Sequence, residues 1–163
     1  MRIQNVLLIA VIFMLSACAT KTSKPARPLQ IIPYVDIAMA PVSIGCLSHD
    51  GAPYIYSFSV EEFYSKRMVG GLSCGGTGAF GYMLPMQWHS GMKVKVRWNR
   101  PIKGEDYWIE KTTSIRRYDM PGTLFVHFFA NDEVRVVSSP LSYPQSPKHP
   151  ILNSVTVAPP EEE

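Results

Sequence analysis

The sequence has few of the features that accompany catalysis or nucleic-acid binding. Among 163 residues it has three cysteines and four histidines, and no two histidines have the spacing of a local metal site. The formal net charge is only +3, and the basic residues form no concentrated run. After residue 15, no apolar run approaches the roughly 20 residues of a membrane-spanning helix. We therefore expect no metal, no cofactor, no nucleic-acid partner and no transmembrane helix in the mature chain.

The first 18 residues have the arrangement of a secretion signal. Arg2 supplies a positive charge, residues 6–15 are apolar, and small residues precede Cys18. Leu15-Ser16-Ala17-Cys18 resembles the lipobox of bacterial lipoproteins, which implies cleavage before the cysteine and its acylation. The alternative is an ordinary secretory signal with a chance cysteine. Because Ala19 is not the Asp that resembles the inner-membrane retention signal of enteric bacteria, we expect a lipid anchor in the Gram-negative outer membrane, with the domain facing the periplasm.

Composition divides the chain into four parts. Residues 1–17 are the predicted signal peptide, and residues 18–30 are the lipidated cysteine with a polar, proline-bearing tether. Residues 31–141 are long enough for one β domain with a single core. Residues 142–163 are a proline-rich tail, expected to be extended and partly disordered. Within it, residues 151–157 are a candidate short edge strand.

Alternation of apolar and polar residues predicts a β fold. The clearest strand is Lys93–Trp98, where charged residues alternate with Val94, Val96 and Trp98. Other strands are predicted at Tyr54–Val60 and Tyr107–Ile115, with a hairpin over Thr123–Val137. Val60–Met68 is a candidate short helix, and the alternative for this stretch is a loop. The predicted fold class is mostly β: a single antiparallel β-sandwich or open-barrel domain with at most one short helix.

Several residues are candidates for chemistry. With Cys18 assigned to lipid, Cys46 and Cys74 are an even pair in an oxidising compartment, which predicts a disulfide; a catalytic thiol is the alternative. The string Gly71–Gly75 matches the Gly-x-Ser-x-Gly elbow of hydrolases, but more glycines follow where the elbow needs a helix. We interpret this glycine-rich stretch as a loop or a strand-edge bulge. His127 is expected to be a packed, hydrogen-bonded histidine rather than a catalytic one.

A series of short motifs covers most of the predicted domain, from Tyr54 to Pro147. In order and spacing they resemble a family of bacterial lipoproteins described only as a domain of unknown function. The sequence departs from that family at Gly81-Tyr82, where members commonly carry two cysteines, so no disulfide pattern is transferred. The motifs are Tyr56–Val60, the glycine cluster, Leu84-Pro85 with Trp88, Gly91–Trp98, Tyr118–Gly122 with Leu124–Phe128, and Val134–Val137.

The resemblance implies a role beside type VI secretion, as a periplasmic immunity protein against a neighbouring lipase or phospholipase effector. It supplies no catalytic residues, and we expect no enzymatic activity. A membrane tether would raise the effective concentration of such an inhibitor. The alternatives are a structural or assembly lipoprotein of the envelope or secretion apparatus, and an envelope hydrolase that uses Ser73 or Cys74. Because aromatic anchors often dominate interfaces, the candidate partner-binding residues are Tyr64, Tyr82, Trp88 and Trp108.

Overall fold

The computed structural model describes residues 36–75, 78–141 and 144–162. The described residues all belong to one compact unit, Val35–Glu163. The predicted signal peptide, Cys18 and the tether lie outside the described residues. Within the described ranges, no helix is long and apolar enough to cross a membrane.

Two four-stranded sheets form a sandwich that does not close into a barrel. The strands are β1 (Met39–Ser48), β2 (Ser57–Glu61), β3 (Met68–Leu72), β4 (Ala79–Pro85), β5 (Lys93–Asn99), β6 (Trp108–Ser114), β7 (Thr123–Phe128) and β8 (Val134–Ser139). Sheet A has the strand order β4-β1-β7-β8, and sheet B has the order β3-β2-β5-β6. A 3₁₀ turn at Ala130–Asp132 is the one helical segment of the part described. This architecture confirms the mostly β prediction and selects the sandwich over the barrel, but sheet A is mixed, because β1 and β7 pair in parallel.

The main core lies between the two sheets and follows from the alternation of their strands. The apolar residues of β5 face inward and are buried. Phe128 of sheet A meets Phe58 and Trp98 of sheet B edge-on, with ring centroids 5.8 and 5.5 Å apart. All three side chains are almost completely buried. Each contributes roughly 1.5–3 kcal/mol through burial, which makes this aromatic group a main link between the sheets.

The strands predicted at β5, β6 and the β7–β8 hairpin are confirmed, whereas the segment before β3 differs from the prediction. Tyr54 and Tyr56 precede β2 and are exposed. The helix expected over Val60–Met68 is wrong, because this stretch is the connection of a β2–β3 hairpin. The turn is closed by a hydrogen bond from the Glu62 backbone N–H to the Arg67 carbonyl, 2.8 Å long.

Gly70 and Gly71 form the bulge that was one interpretation of the glycine-rich stretch. Phe58 pairs with Leu72 and Ser59 pairs with Gly70, so the register between β2 and β3 shifts and Gly71 is the extra residue. The φ of Gly70 is +146°, and a Cβ atom there would clash with the backbone of Phe58 and Ser59. Only glycine permits this close approach of two backbones.

Residues 144–162, here called the C-terminal strap, lie across the outer face of sheet A. Ile151 packs against Phe125, Phe129 and Val137 in a second apolar cluster that is separate from the main core. The edge strand expected over residues 151–157 is wrong. The strap backbone makes local turns instead, and its buried side chains hold it on the sheet.

A disulfide joins Cys46 of β1 to Cys74 in the turn after β3, with the two Cα atoms 5.5 Å apart. The predicted pairing is therefore confirmed, and Cys74 has no free thiol in this structure. The bond connects the strand at the centre of sheet A to the loop that leaves sheet B. It is the covalent link between the two layers in the described part of the chain.

Removing this disulfide should lower the free energy of unfolding by about 3 to 4 kcal/mol, because 28 residues separate the cysteines and the bond restricts the unfolded chain. Urea titration of a Cys46→Ala, Cys74→Ala double variant against the oxidised wild type measures the loss. Reductant should destabilise the wild type and leave the double variant unchanged. Two free thiols in alkylation mapping of protein prepared without reductant would contradict the pairing.

Candidate functional site

A cleft of about 430 Å³ opens beside the end of β4. The chain entering β1 forms one wall, the β2–β3 turn contributes Tyr64, and the segment after β4 forms the floor and the opposite wall. Tyr64, Met86 and His89 are exposed, and Trp88 is partly buried. The cleft is lined by Asp36, Ile37, Ala38, Tyr64, Met86, Gln87, Trp88 and His89.

The buried carboxylate of Glu62 fixes the two elements that form the cleft. It accepts hydrogen bonds from Ser65 and from the Arg67 guanidinium (Nη2 at 2.5 Å), which shape the β2–β3 turn. It also accepts the backbone N–H of Met83 in β4 at 2.8 Å. Arg67 Nη2 in turn donates to the carbonyl oxygen of Gly81, at 2.6 Å. One ion pair therefore caps the open edge of β4 and ties it to the turn that carries Tyr64.

Glu62 remains ionised although its side chain is only 3% exposed. Burial opposes the charged form, but hydrogen bonds from Arg67, Ser65 and the Met83 backbone outweigh it, and the pKa of Glu62 lies below its ordinary value. The carboxylate has a donor for each oxygen, which is the condition for a stable buried charge.

Tyr64 and His89 are linked across the cleft mouth. The Tyr64 hydroxyl lies 2.8 Å from His89 Nε2, and His89 Nδ1 lies 3.1 Å from the carbonyl oxygen of Ser90. The Ser90 carbonyl fixes the proton on Nδ1, so Nε2 accepts the Tyr64 hydrogen bond. Phe63 packs edge-on against both rings. These contacts present two aromatic polar side chains in a fixed orientation.

Trp88 separates the cleft from a second hollow of about 420 Å³. Its indole Nε1 donates to the Ile115 carbonyl at 2.8 Å, and the Arg117 guanidinium lies 6.0 Å from its ring centroid. In the second hollow, Tyr118 donates to the Pro85 carbonyl, and burial raises the pKa of Tyr118 to about 12. The indole thus has one edge anchored in the fold and a face directed to the surface.

Of the four aromatic residues expected at an interface, the structure brings together Tyr64 and Trp88. The expectation of an exposed Tyr82 is wrong: it points from β4 into the core, and its hydroxyl donates to the Glu61 carbonyl. Trp108 is 46% exposed, but it starts β6, whereas Trp88 is anchored to Ile115, just after β6 ends. Trp108 and Ile115 are seven residues apart along extended chain, which separates them by roughly 23 Å.

Three histidines that are far apart in sequence meet beneath the strap. His49, His127 and His149 are buried, and His49 Nε2 lies 2.9 Å from His127 Nδ1. This confirms His127 as a packed, hydrogen-bonded residue. Within the described ranges, no three histidine, cysteine, aspartate or glutamate side chains are arranged to hold a metal ion. Ser73 lies in the turn after β3, and the described residues between it and β4 contain no helix.

Replacing Glu62 with alanine should lower the free energy of unfolding by roughly 2 to 4 kcal/mol, because the Met83 N–H loses its acceptor and the turn loses its ionic clamp. Urea titration at pH 7 measures the loss. Since the folded-state pKa is depressed, this stabilisation is present above about pH 4.3 and disappears as the pH falls through the folded value. The difference between wild type and variant should therefore shrink in acid.

The matched control is Glu110→Ala, because Glu110 pairs with Lys95 at 2.9 Å on the exposed face of sheet B. An exposed pair of this kind contributes little. Equal losses for the two variants, or a Glu62 effect that persists unchanged below pH 3, would contradict the role given to the buried carboxylate.

Comparison with known proteins identifies one family. A family model described as "Protein of unknown function (DUF3304)" matches residues 49–136, which is 88 of 163 residues and more than half of the chain. No curated protein and no solved structure matches. The match includes β2 to β7, the β2–β3 turn, the cleft residues from Tyr64 to His89 and two of the buried histidines. This chain belongs to the DUF3304 family.

Proposed function

We propose that this protein is a lipid-anchored outer-membrane protein that binds and neutralises a lipase-type effector of type VI secretion in the periplasm, without enzymatic activity of its own. The observation that carries the proposal is the cleft beside Trp88. It combines exposed apolar surface, oriented polar groups and a rigid framework on one side of a small β-sandwich.

The composition of the cleft suits an interface with another protein. Tyr64 and Met86 are exposed by 42% and 45%, and with Trp88 they form an apolar centre. Polar groups at its border include His89 and Arg117. Protein interfaces commonly have this arrangement of aromatic and methionine residues within a polar rim. The mouth of a lipase is itself apolar because it admits acyl chains, so the two surfaces are complementary in chemistry.

The cleft is also preorganised. Glu62 fixes the turn that carries Tyr64, and the Ile115 carbonyl fixes the Trp88 indole. Side chains that are already ordered lose less entropy when a partner binds, so more of the contact energy appears as affinity. A rigid inhibitor surface of this kind supports tight binding without a large area.

The predicted lipid anchor would hold the cleft near the substrate of a phospholipid-degrading toxin. Asp36 lies 18 residues after Cys18 in the chain, and a segment of that length spans at most about 60 Å when extended. Such a tether would confine the domain to a thin layer at the membrane and raise its local concentration there. The lipid anchor would therefore assist neutralisation by keeping the cleft at the membrane where the toxin acts.

The hydrolase alternative has less support than binding. Cys74 is bonded to Cys46 and therefore offers no thiolate nucleophile. Ser73 is exposed in the turn after β3, without the strand-to-helix geometry of a nucleophile elbow.

A binding and inhibition assay tests the proposal. The purified wild-type chain should form a stoichiometric complex with the lipase-type effector encoded beside it, and the complex should lose lipase activity. Tyr64→Ala and Met86→Lys should each weaken binding about 30-fold, the effect of losing a central contact worth about 2 kcal/mol. Isothermal titration measures the affinity, and an ester-hydrolysis assay measures inhibition.

The matched control is Trp108→Ala, which removes an aromatic side chain of similar exposure at the other end of β6. It should leave the affinity unchanged. A loss for Trp108→Ala with none for Tyr64→Ala would place the interface on sheet B and contradict the cleft assignment. Absence of any complex with the wild-type chain would refute neutralisation by direct binding and favour the assembly role.

A further inference from the structure

The buried histidines form a cluster that connects the strap to sheet A. His49 follows β1, His127 lies in β7, and His149 lies in the strap. The ring centroid of His127 is 5.2 Å from that of His49 and 5.1 Å from that of His149. Phe129 stacks on His49 with centroids 4.1 Å apart, and Phe125 meets His149 edge-on at 5.0 Å. Three of the four histidines in the sequence thus occupy one apolar interface.

The positions of His127 and His149 accommodate neutral imidazoles and disfavour imidazolium. The His149 Nδ1–H donates to the Ile151 carbonyl at 2.9 Å, which leaves Nε2 without a proton. Neither Nε2 of His149 nor Nε2 of His127 has a hydrogen-bond partner within the described residues. A proton added to either atom would be a buried charge with no acceptor, which is strongly unfavourable.

The surrounding charges do not supply a counter-ion for His127. Arg135 of β8 stands opposite His127 in the β7–β8 register and carries a positive charge. Burial, followed by the neighbouring His149 and His49, lowers the pKa of His127 to about 2, and burial likewise lowers the pKa of His49 and of His149. The charged or titratable groups on the packed elements are Asp50 beside His49, Glu133 and Arg135 on β8, and Lys148, Glu161 and Glu162 on the strap.

The strap is attached in a way that allows it to detach without opening the main core. Its apolar residues belong to the second cluster with Phe125, Phe129 and Val137, which is separate from the cluster between the sheets. Its other attachments are polar and lie at the surface. Arg116 donates to the Pro150 carbonyl at 2.8 Å and pairs with Glu162 at 2.7 Å, and Arg135 donates to the Pro159 carbonyl at 2.6 Å.

We propose that residues 144–162 are a proton-controlled strap, closed over the outer face of β7 and β8 at neutral pH and released in mild acid when the histidine cluster takes up protons. The inference is independent of the proposed function, because it concerns a different face of the domain. Its readout is the local opening of the strap, not toxin binding.

The sign and size of the effect follow from linkage. A histidine has an ordinary pKa near 6.5 once it is exposed, so the released state binds protons below that pH whereas the closed state does not. Docking is therefore fully present above about pH 6.5 and weakens as the pH falls. Between pH 7 and pH 5 a histidine that stays neutral in the closed state favours release by roughly 25-fold, so three together set an upper limit of roughly 10⁴-fold.

Hydrogen exchange of the full chain at pH 7 and pH 5, corrected for the intrinsic rate, tests the proposal. Protection of the strap amides should fall by up to about 10⁴-fold at pH 5, whereas β2 and β5 should remain protected. Carboxylates titrate mostly below pH 5, so this interval reports chiefly on histidines. Equal strap protection at both pH values would overturn the proposal, as would a simultaneous loss of protection in all strands.

Histidine variants identify which side chains cause the pH effect on strap exchange. His149→Asn keeps a donor near the Ile151 carbonyl but does not titrate, so it should reduce the pH effect on strap exchange by up to about 25-fold. His49→Gln, which keeps a polar group near His127, should do the same and serves if His149→Asn fails to dock the strap. His89→Asn, outside the cluster, should leave the effect unchanged. A wild-type response in both cluster variants would assign the acid sensitivity elsewhere and refute the proposal.

Discussion

The architecture of the candidate site depends on one buried charge, the carboxylate of Glu62. An ionised group in this position would be costly without donors, and the chain supplies them from the β2–β3 turn and from β4. The same bonds satisfy groups on the edge of β4 that would otherwise invite pairing with another strand. Because the turn carries Tyr64 and β4 leads into the Met86–His89 segment, satisfying the charge also positions the cleft. The site is therefore a consequence of how the sheet edge is closed.

The two faces of sheet A are stabilised by different means. Its inner face packs on sheet B around Phe58, Trp98 and Phe128, and the Cys46–Cys74 disulfide links the layers covalently. Its outer face is covered by the strap, through a smaller apolar cluster and bonds to Arg116 and Arg135. Local opening free energies in a protein follow the size and apolarity of such contacts. The strap is consequently the part of the described domain for which a local transition is easiest to explain.

Local patterns in the sequence predicted several strands and the disulfide, but not the contacts between distant segments. β5 and β8 show period-two alternation, β6 and β7 are rich in β-branched and aromatic residues, and the cysteine count indicated the disulfide. The central strand β1 contains Pro41 and Gly45, so its propensity is weak, and tertiary pairing on both sides overrides it. Tyr82 is buried because of its strand position, which composition alone does not reveal. The hydrogen bond from the Met83 N–H to Glu62 joins residues 21 positions apart, and the one between His49 and His127 joins residues 78 positions apart. No sequence spacing indicates these contacts.

The central claim is our proposal that the cleft beside Trp88 is a surface for binding another protein. The most direct measurement is a hydrogen-exchange footprint of the chain with and without the proposed partner, a lipase-type effector, at neutral pH. The account predicts new protection in the β2–β3 turn and in residues 86–89, with β6 around Trp108 and the strap unchanged. Protection confined to β6 or to the strap face, with none at the cleft, would contradict it.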